Sequence, residues 1–228
     1  MVTALDDKID TAQSLIDSHH HVGASTGYLE PRGDWDPLIA RAAAISPFAV
    51  EFAALAEPEL APLEDWLSQR AAVGFRYVSV HAPVKERQMP EAELVARLAA
   101  LPAYVASVVL HPDVIGDVSL YAALGRRAVI ENMDGRKPRG QSVGDLQPLF
   151  DALPAAGFCL DVAHVSGVDP SMRLGDELLD AFGSRLRQVH LSSLADGRHA
   201  SLTAADAERF RPLLRRCVDV PWILEAPL

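Results

Sequence analysis

Thiols, positive charge and long apolar runs are all in short supply in this chain, and each shortage excludes something. Two cysteines, Cys159 and Cys217, occur in 228 residues. That is too few for a disulfide framework, and buried free thiols in a cytoplasmic protein are the expectation. No apolar stretch is long enough to span a bilayer. Asp6, Asp7, Lys8 and Asp10 interrupt the stretch from Met1 to Ile16, so it does not read as a signal peptide. Lys and Arg total 21 against 31 Asp and Glu, a formal net charge of −10. Enzymes of nucleic acid usually present a basic face. Local patches could form from Arg139, Arg185, Arg187, Arg211, Arg215 and Arg216, but the global balance disfavours long DNA or RNA as substrate.

What is present is an alternation. Apolar runs that read as strands fall at 15–23, 48–52, 75–81, 104–110, 128–132, 157–167, 186–191 and 222–225. Segments with helical spacing lie between them, at 35–45, 63–73, 91–101, 118–124, 145–155, 176–182 and 203–216. Gly74, Gly125, Gly157 and Gly183 mark turns, and Thr203 with Asp206 reads as a capping box. The strand runs are apolar on both faces, as parallel strands covered by helices must be. Eight strands alternating with helices predict a single-domain (β/α)₈ TIM barrel over residues 1–228. No helix follows the eighth strand, so a leading helix at residues 3–13, or a neighbouring subunit in a homo-oligomer, is expected to cover that gap.

The strand ends carry chemistry. His21, His81, His111, Glu131, Asp161, His190 and Glu225 stand at or near them, and His164 and His199 lie just beyond the sixth and seventh. A barrel brings its strand ends to one mouth, so these residues are expected to converge. Acids gathered in one pocket repel and protonate unless a cation holds them. Nitrogen and carboxylate donors in this number suit one to three Zn, Mn or Fe ions. Arg136, Lys137 and Arg139 follow the fifth strand, and Arg139 is a candidate contact for an anionic substrate. Tyr28 and Trp35 follow the first strand, where Trp35 is a candidate for stacking on substrate. His21 is a third substrate candidate. Glu51 lies mid-strand, facing the interior, with an Arg pairing or a catalytic role both open. Asn132 is placed to support a ligand.

Glu131-Asn132, Asp161-Val162-Ala163-His164, His190-Leu191-Ser192 and Glu225, in that order on strands five to eight, resemble the xylose-isomerase-like barrel superfamily. Sugar isomerases, epimerases and endonuclease IV belong to it. The resemblance implies one metal held by Glu131, Asp161, His190 and Glu225. His81 and His111-Pro112 are similar to the metal-binding histidines of the endonuclease IV branch. His21-Val22-Gly23-Ala24 is similar to that branch's first-strand motif. Carried over, His81, His111 and Glu131 would hold a further metal, and His164 and His199 a third. Gly197-Arg198-His199 resembles the branch's Asp-Arg-His motif, with Gly197 where the aspartate belongs and Asp196 one residue away. Asp17 to His21 also resembles the start of amidohydrolases, but that match stops at the first strand.

The expected function is a divalent-metal enzyme acting on a small phosphorylated or polyhydroxylated substrate. Hydrolysis at a dinuclear site is the main expectation. The alternative is a single-metal sugar or polyol isomerase or epimerase, with Glu131 and Glu225 moving protons on opposite faces and His164 on a substrate oxygen. Abasic-site DNA cleavage and di-iron oxygen chemistry are minority readings. No membrane association is expected.

Overall fold

The computed structural model describes residues 20–226. Eight parallel strands close into a barrel: β1 (Val22–Ser25), β2 (Ala49–Ala53), β3 (Tyr77–His81), β4 (Ser107–Leu110), β5 (Ala128–Glu131), β6 (Gly157–Asp161), β7 (Leu186–Leu191) and β10 (Trp222–Leu224). Around the ring the order is β1-β10-β7-β6-β5-β4-β3-β2. A short hairpin, β8 (Ser193–Ala195) with β9 (Arg198–Ala200), stands outside the barrel. The helices are α1 (Trp35–Ile45), α2 (Leu60–Ser68), α3 (Glu91–Ala100), α4 (Val143–Ala152), α5 (Val162–Val168), α6 (Arg173–Phe182) and α7 (Ala204–Leu214). Between β4 and β5 the chain makes 3-10 turns over Val118–Arg127 rather than an α-helix, broken at Gly125, whose φ is 56°.

Each helix turns a narrow apolar stripe to the strands, because residues three and four apart share a helix face. Leu60, Leu63 and Leu67 do so on α2, and Leu94, Val95 and Leu98 on α3. Along a strand, alternate side chains point to opposite faces. Phe52 therefore points outward, its ring centroid 5.9 Å from that of Trp35 and 5.5 Å from that of Trp66, while its neighbour Glu51 points into the barrel. The apolar core fills the shell between strands and helices. Strands β1 and β2 approach so closely that a Cβ at Gly23 would lie 2.5 Å from the carbonyl oxygen of Ala49. Only glycine fits there.

The barrel interior is unusual. Bulky branched apolar residues normally fill it, but here one level is occupied by the polar side chains of Tyr77, Ser79, Ser107, Glu51 and Gln188. Ser79 stands beside Glu51 in register and beside Ser107 on its other side. One level nearer the mouth, Asp161 pairs with His190.

Three expectations shift. The first strand starts at Val22, so His21 precedes it and sits at the end of the barrel opposite the mouth. Its exposed ring stacks on Phe48, 3.8 Å between centroids, just before β2. The sixth strand ends at Asp161, and α5 begins at once, with Asp161 as its N-cap. α2 ends at Ser68, well before Gly74. The capping box at α7 is present: Thr203 Oγ1 accepts from Asp206 N at 3.1 Å, and Asp206 Oδ2 accepts from Thr203 N at 3.0 Å. Residues 3–13 lie outside the described residues. No helix among the described residues is long and apolar enough to cross a membrane.

Candidate metal centre

The mouth gathers the strand-end donors into three overlapping groups, within each of which the candidate ligand atoms lie within 4.8 Å of one another. Glu131, Asp161, His190 and Glu225 form one; His81, His111 and Glu131 a second; Asp161, His164 and His199 a third. Glu131 and Asp161 each belong to two.

His190, at the end of β7, is the centre of the first group. Its Nδ1 lies 3.2 Å from Glu131 Oε1 and 3.3 Å from Glu225 Oε2. Among the described residues, no lysine or arginine pairs with Glu131, Asp161 or Glu225, although all three are buried. Taking a carboxylate out of water costs several kcal/mol. Histidines are the only partners, and they leave Glu131 Oε2 and Asp161 Oδ2 buried without a hydrogen bond. Oxygens orphaned in this way, beside imidazole nitrogens and with no fixed cation, are a donor set that fits a divalent ion.

The second group is compact. The Nε2 atoms of His81 and His111 are 3.0 Å apart, and they lie 3.5 and 3.2 Å from Glu131 Oε2. His81 Nδ1 faces the carbonyl of Ala82 at 2.9 Å, so its proton belongs there and Nε2 keeps a lone pair for the site. In the third group His164 occupies the first turn of α5, where its backbone N donates to Asp161 Oδ1 at 2.7 Å. Its Nδ1 faces the carbonyl of Asn132 at 2.8 Å, which leaves Nε2 for the cavity. His199 comes from β9, its Nδ1 2.7 Å from Ser192 Oγ.

Asn132 braces Asp161 from behind. Its Oδ1 accepts from Asp161 N at 2.8 Å and its Nδ2 donates to Asp161 O at 3.0 Å. Asp196 and Gly197 form the β8–β9 turn with φ of 51° and 71°. Asp196 is exposed there and joins none of the groups, so the place of the aspartate in the Asp-Arg-His pattern has no carboxylate in the site.

The ionisation of the site follows its geometry. Burial pushes Asp161 up to about 6, against the attraction of His164 and His199. Burial also opposes charge on Glu131 and Glu225, but His190 and His111 hold Glu131 well below the usual carboxylate range, and His190 and His199 hold Glu225 at about 2. Burial disfavours a charged His190, yet Cys159, Glu225, Glu51 and Glu131 outweigh it and raise the imidazole well above its usual value.

Above the groups is a cavity of about 180 Å³, walled by Tyr28, Leu55, Val84, Lys85, Arg136 and Lys137 together with site residues including Glu131, His164 and Glu225. Tyr28, which follows the first strand, lines it, and the substrate candidate Arg139 does not. Arg139 turns away to the carbonyl of Ile115, and its loop neighbours Arg136 and Lys137 face the cavity instead. They are tied to Asp134 at 2.9 Å and Asp113 at 2.8 Å. Trp35 is buried at the start of α1 against Phe52 and takes no part in the cavity wall. His21 is at the opposite end. Among the described residues Glu51 pairs with no arginine; its partners are Ser79, Gln188 and His190.

No protein-family model matches this sequence, and no curated protein matches it. Solved structures do. D-allulose 3-epimerase from Methylomonas sp. superposes with a TM-score of 0.57 at 18% identity, over 91% of this chain and 85% of that one. A 3-keto-D-glucoside 4-epimerase from E. coli gives 0.56 at 11%, over 92% and 93%. An L-ribulose 3-epimerase gives 0.55 at 12%, over 91% and 82%. At such identities the match is one of fold. It bears out the (β/α)₈ barrel that the alternation of strands and helices predicts.

Proposed function

We propose that this chain is a divalent-metal-dependent epimerase or isomerase of a small polyhydroxylated carbonyl compound. The observation that carries the reading is the meeting of Glu131 and Glu225 at one point. One comes from β5 and the other from just beyond β10, and both reach within 3.3 Å of His190 Nδ1. The fold shared with three sugar epimerases supports the same choice over the hydrolytic expectation.

Glu131, Asp161, His190 and Glu225 would hold the metal. Such an ion draws electron density from neighbouring carbonyl and hydroxyl oxygens and so acidifies the adjacent C–H. Glu131 and Glu225 come from different strands, and a carbon bound between them would have a carboxylate on either face. One would take the C–H proton while the other, carrying a proton from solvent, gives it to the opposite face, so that the centre inverts and both carboxyls then re-equilibrate with water. His164 Nε2 faces the cavity and is placed to bond a substrate hydroxyl. Tyr28, Leu55 and Val84 line the cavity and would shield the reacting carbon from water. Cys159 and Cys217 are both buried free thiols, which supports a reducing, cytoplasmic setting.

The test is solvent exchange. Incubated with ketoses in deuterated buffer, the protein should place deuterium on a single carbon, and Glu131→Gln should not. Phosphomonoester cleavage without carbon-bound exchange would go against it. That outcome belongs to the second reading, a two-metal hydrolase, which has its own support in the convergence of His81 and His111 on Glu131 Oε2. Metal content separates them: one equivalent accompanies epimerisation and two accompany hydrolysis.

A further inference from the structure

We infer that Glu51 is a positioning residue whose carboxylate holds His190 in the tautomer able to ligate a metal. This rests on the metal reading above and extends it to a side chain outside all three donor groups.

Glu51 sits at the middle of β2 and is completely buried. Strands β2 and β7 are not neighbours in the ring, so Glu51 reaches His190 across the barrel interior. The two nitrogens of His190 face different environments. Nδ1 looks up to Glu131 and Glu225, and Nε2 looks down to Glu51 Oε2 at 3.1 Å. A neutral imidazole with a metal on Nδ1 carries its proton on Nε2, and that proton needs an acceptor. Glu51 Oε2 is the carboxylate oxygen at that position. Ser79 Oγ donates to the same oxygen at 3.0 Å and steadies it, while Oε1 is buried without a hydrogen bond.

A competitor lies alongside. Gln188 Nε2 is 2.7 Å from Glu51 Oε2 and 2.7 Å from His190 Nε2. Its amide is oriented from the other end by Tyr77, whose hydroxyl is 2.8 Å from Gln188 Oε1 and 2.8 Å from Ser107 Oγ. An amide nitrogen only donates. Donation to His190 Nε2 requires a lone pair there, which puts the imidazole proton on Nδ1, in the metal's place. Glu51 and Gln188 therefore favour opposite tautomers of the same ring, and substitutions at the two positions should act in opposite directions. Plain structural support would give both the same sign.

The experiment is calorimetric titration of the chelator-treated full chain with Zn²⁺, for wild type, Glu51→Gln and Gln188→Leu. It is joined by long-range nitrogen–proton correlation spectra of the zinc-loaded wild type. Loss of a carboxylate behind a metal-binding histidine typically costs about 10- to 100-fold in metal affinity, and Glu51→Gln should fall in that range. Gln188→Leu should bind at least as tightly as wild type, and the zinc-loaded wild type should show the His190 proton on Nε2. Wild-type affinity in Glu51→Gln, equal losses in both variants, or a proton on Nδ1 would each overturn the assignment. The spectra decide even if a variant fails to fold. If the wild type itself takes up no zinc, it is the metal reading that fails, and that outcome is distinct from the other three.

Discussion

Two levels of the barrel interior lie side by side and could hardly be more differently finished. The lower one, with Tyr77, Ser107, Gln188, Ser79 and Glu51, is polar but closed on itself. Hydroxyls and an amide pass hydrogen bonds from strand to strand, and Glu51 Oε1 is its one unbonded atom. The upper one, with Glu131, Asp161, His190 and Glu225, is left open. Its carboxylates have only histidines for company, and Glu131 Oε2 and Asp161 Oδ2 have no hydrogen bond. A polar layer in a core is tolerable when its groups satisfy one another, so the lower level is support. The upper level leaves carboxylate oxygens free for a cation to hold. His190 belongs to both, with one nitrogen in each.

Substitutions should separate the levels. The largest effect is expected above: Glu131→Gln or Glu225→Gln should lower carbon-bound deuterium exchange by about 10²- to 10⁴-fold, the usual worth of a general acid or base. The fold should persist by circular dichroism. Below, Tyr77→Phe removes the hydroxyl shared by Ser107 and Gln188. Leaving buried polar groups short of a partner costs about 1–3 kcal/mol, so denaturant unfolding should show that loss while zinc affinity stays near wild type. A Tyr77→Phe protein of full stability that binds zinc poorly would merge the two levels.

The pH dependence of the metal-free protein sharpens the same contrast. Asp161 is pushed up to about 6 from an ordinary 3.8, so the folded chain keeps a proton that the unfolded chain has released. Stability from this source is present below about 4 and lost as pH rises through 6. His81, His164 and His190 are raised above 6.5, and their contribution is likewise lost as pH rises through their folded values. Burial lowers His111 and opposes this trend. On the acid side, Glu131 and Glu225 are depressed below 4.5, and their contribution disappears as pH falls towards 2. Thermal unfolding of the metal-free protein should be highest in mildly acidic buffer and decline towards pH 8, and zinc should remove that decline. The smallest effects belong to residues that geometry has taken out of the site. His21→Ala and Arg139→Ala should leave zinc affinity and exchange within about twofold of wild type, as expected of substitutions away from any buried network.

The ligand set was legible because a barrel turns strand order into spatial convergence. An acid or histidine closing an apolar run, as at His81, Glu131, Asp161 and His190, marks the mouth wherever the run is read correctly. Errors came where the run itself misleads. Residues 157–165 are buried throughout and apolar but for Asp161 and His164, because β6 and the first turn of α5 both lie in the core, and periodicity cannot divide them. Asp161 is the boundary, a strand end and an N-cap at once. A first strand read over 15–23 puts His21 near the mouth, whereas β1 begins at Val22 and leaves His21 at the floor of the barrel. Trp35 opens the helix that the spacing predicts at 35–45, and an aromatic in the first turn of a helix packs inward, here onto Phe52, rather than over a substrate. Of the three cations after β5, nothing in the sequence separates Arg139, which turns to Ile115, from Arg136 and Lys137, which face the cavity. The β8–β9 hairpin did leave a signal, Asp196-Gly197, a common hairpin turn, inside what read as a polar loop. Glu51 stood out as a mid-strand acid, but its partner came from a strand across the barrel, which no local pattern encodes.

Glu131 is the residue shared between the first two donor groups, so metal content against its removal tests the central claim most directly. Protein purified without added metal, then loaded with Zn²⁺ and freed of excess, should hold at least one equivalent per chain by elemental analysis. Glu131→Ala, folded by circular dichroism, should hold well under half of that. A wild-type chain that retains no divalent metal after loading, or a Glu131→Ala chain that retains as much as wild type, would contradict the account.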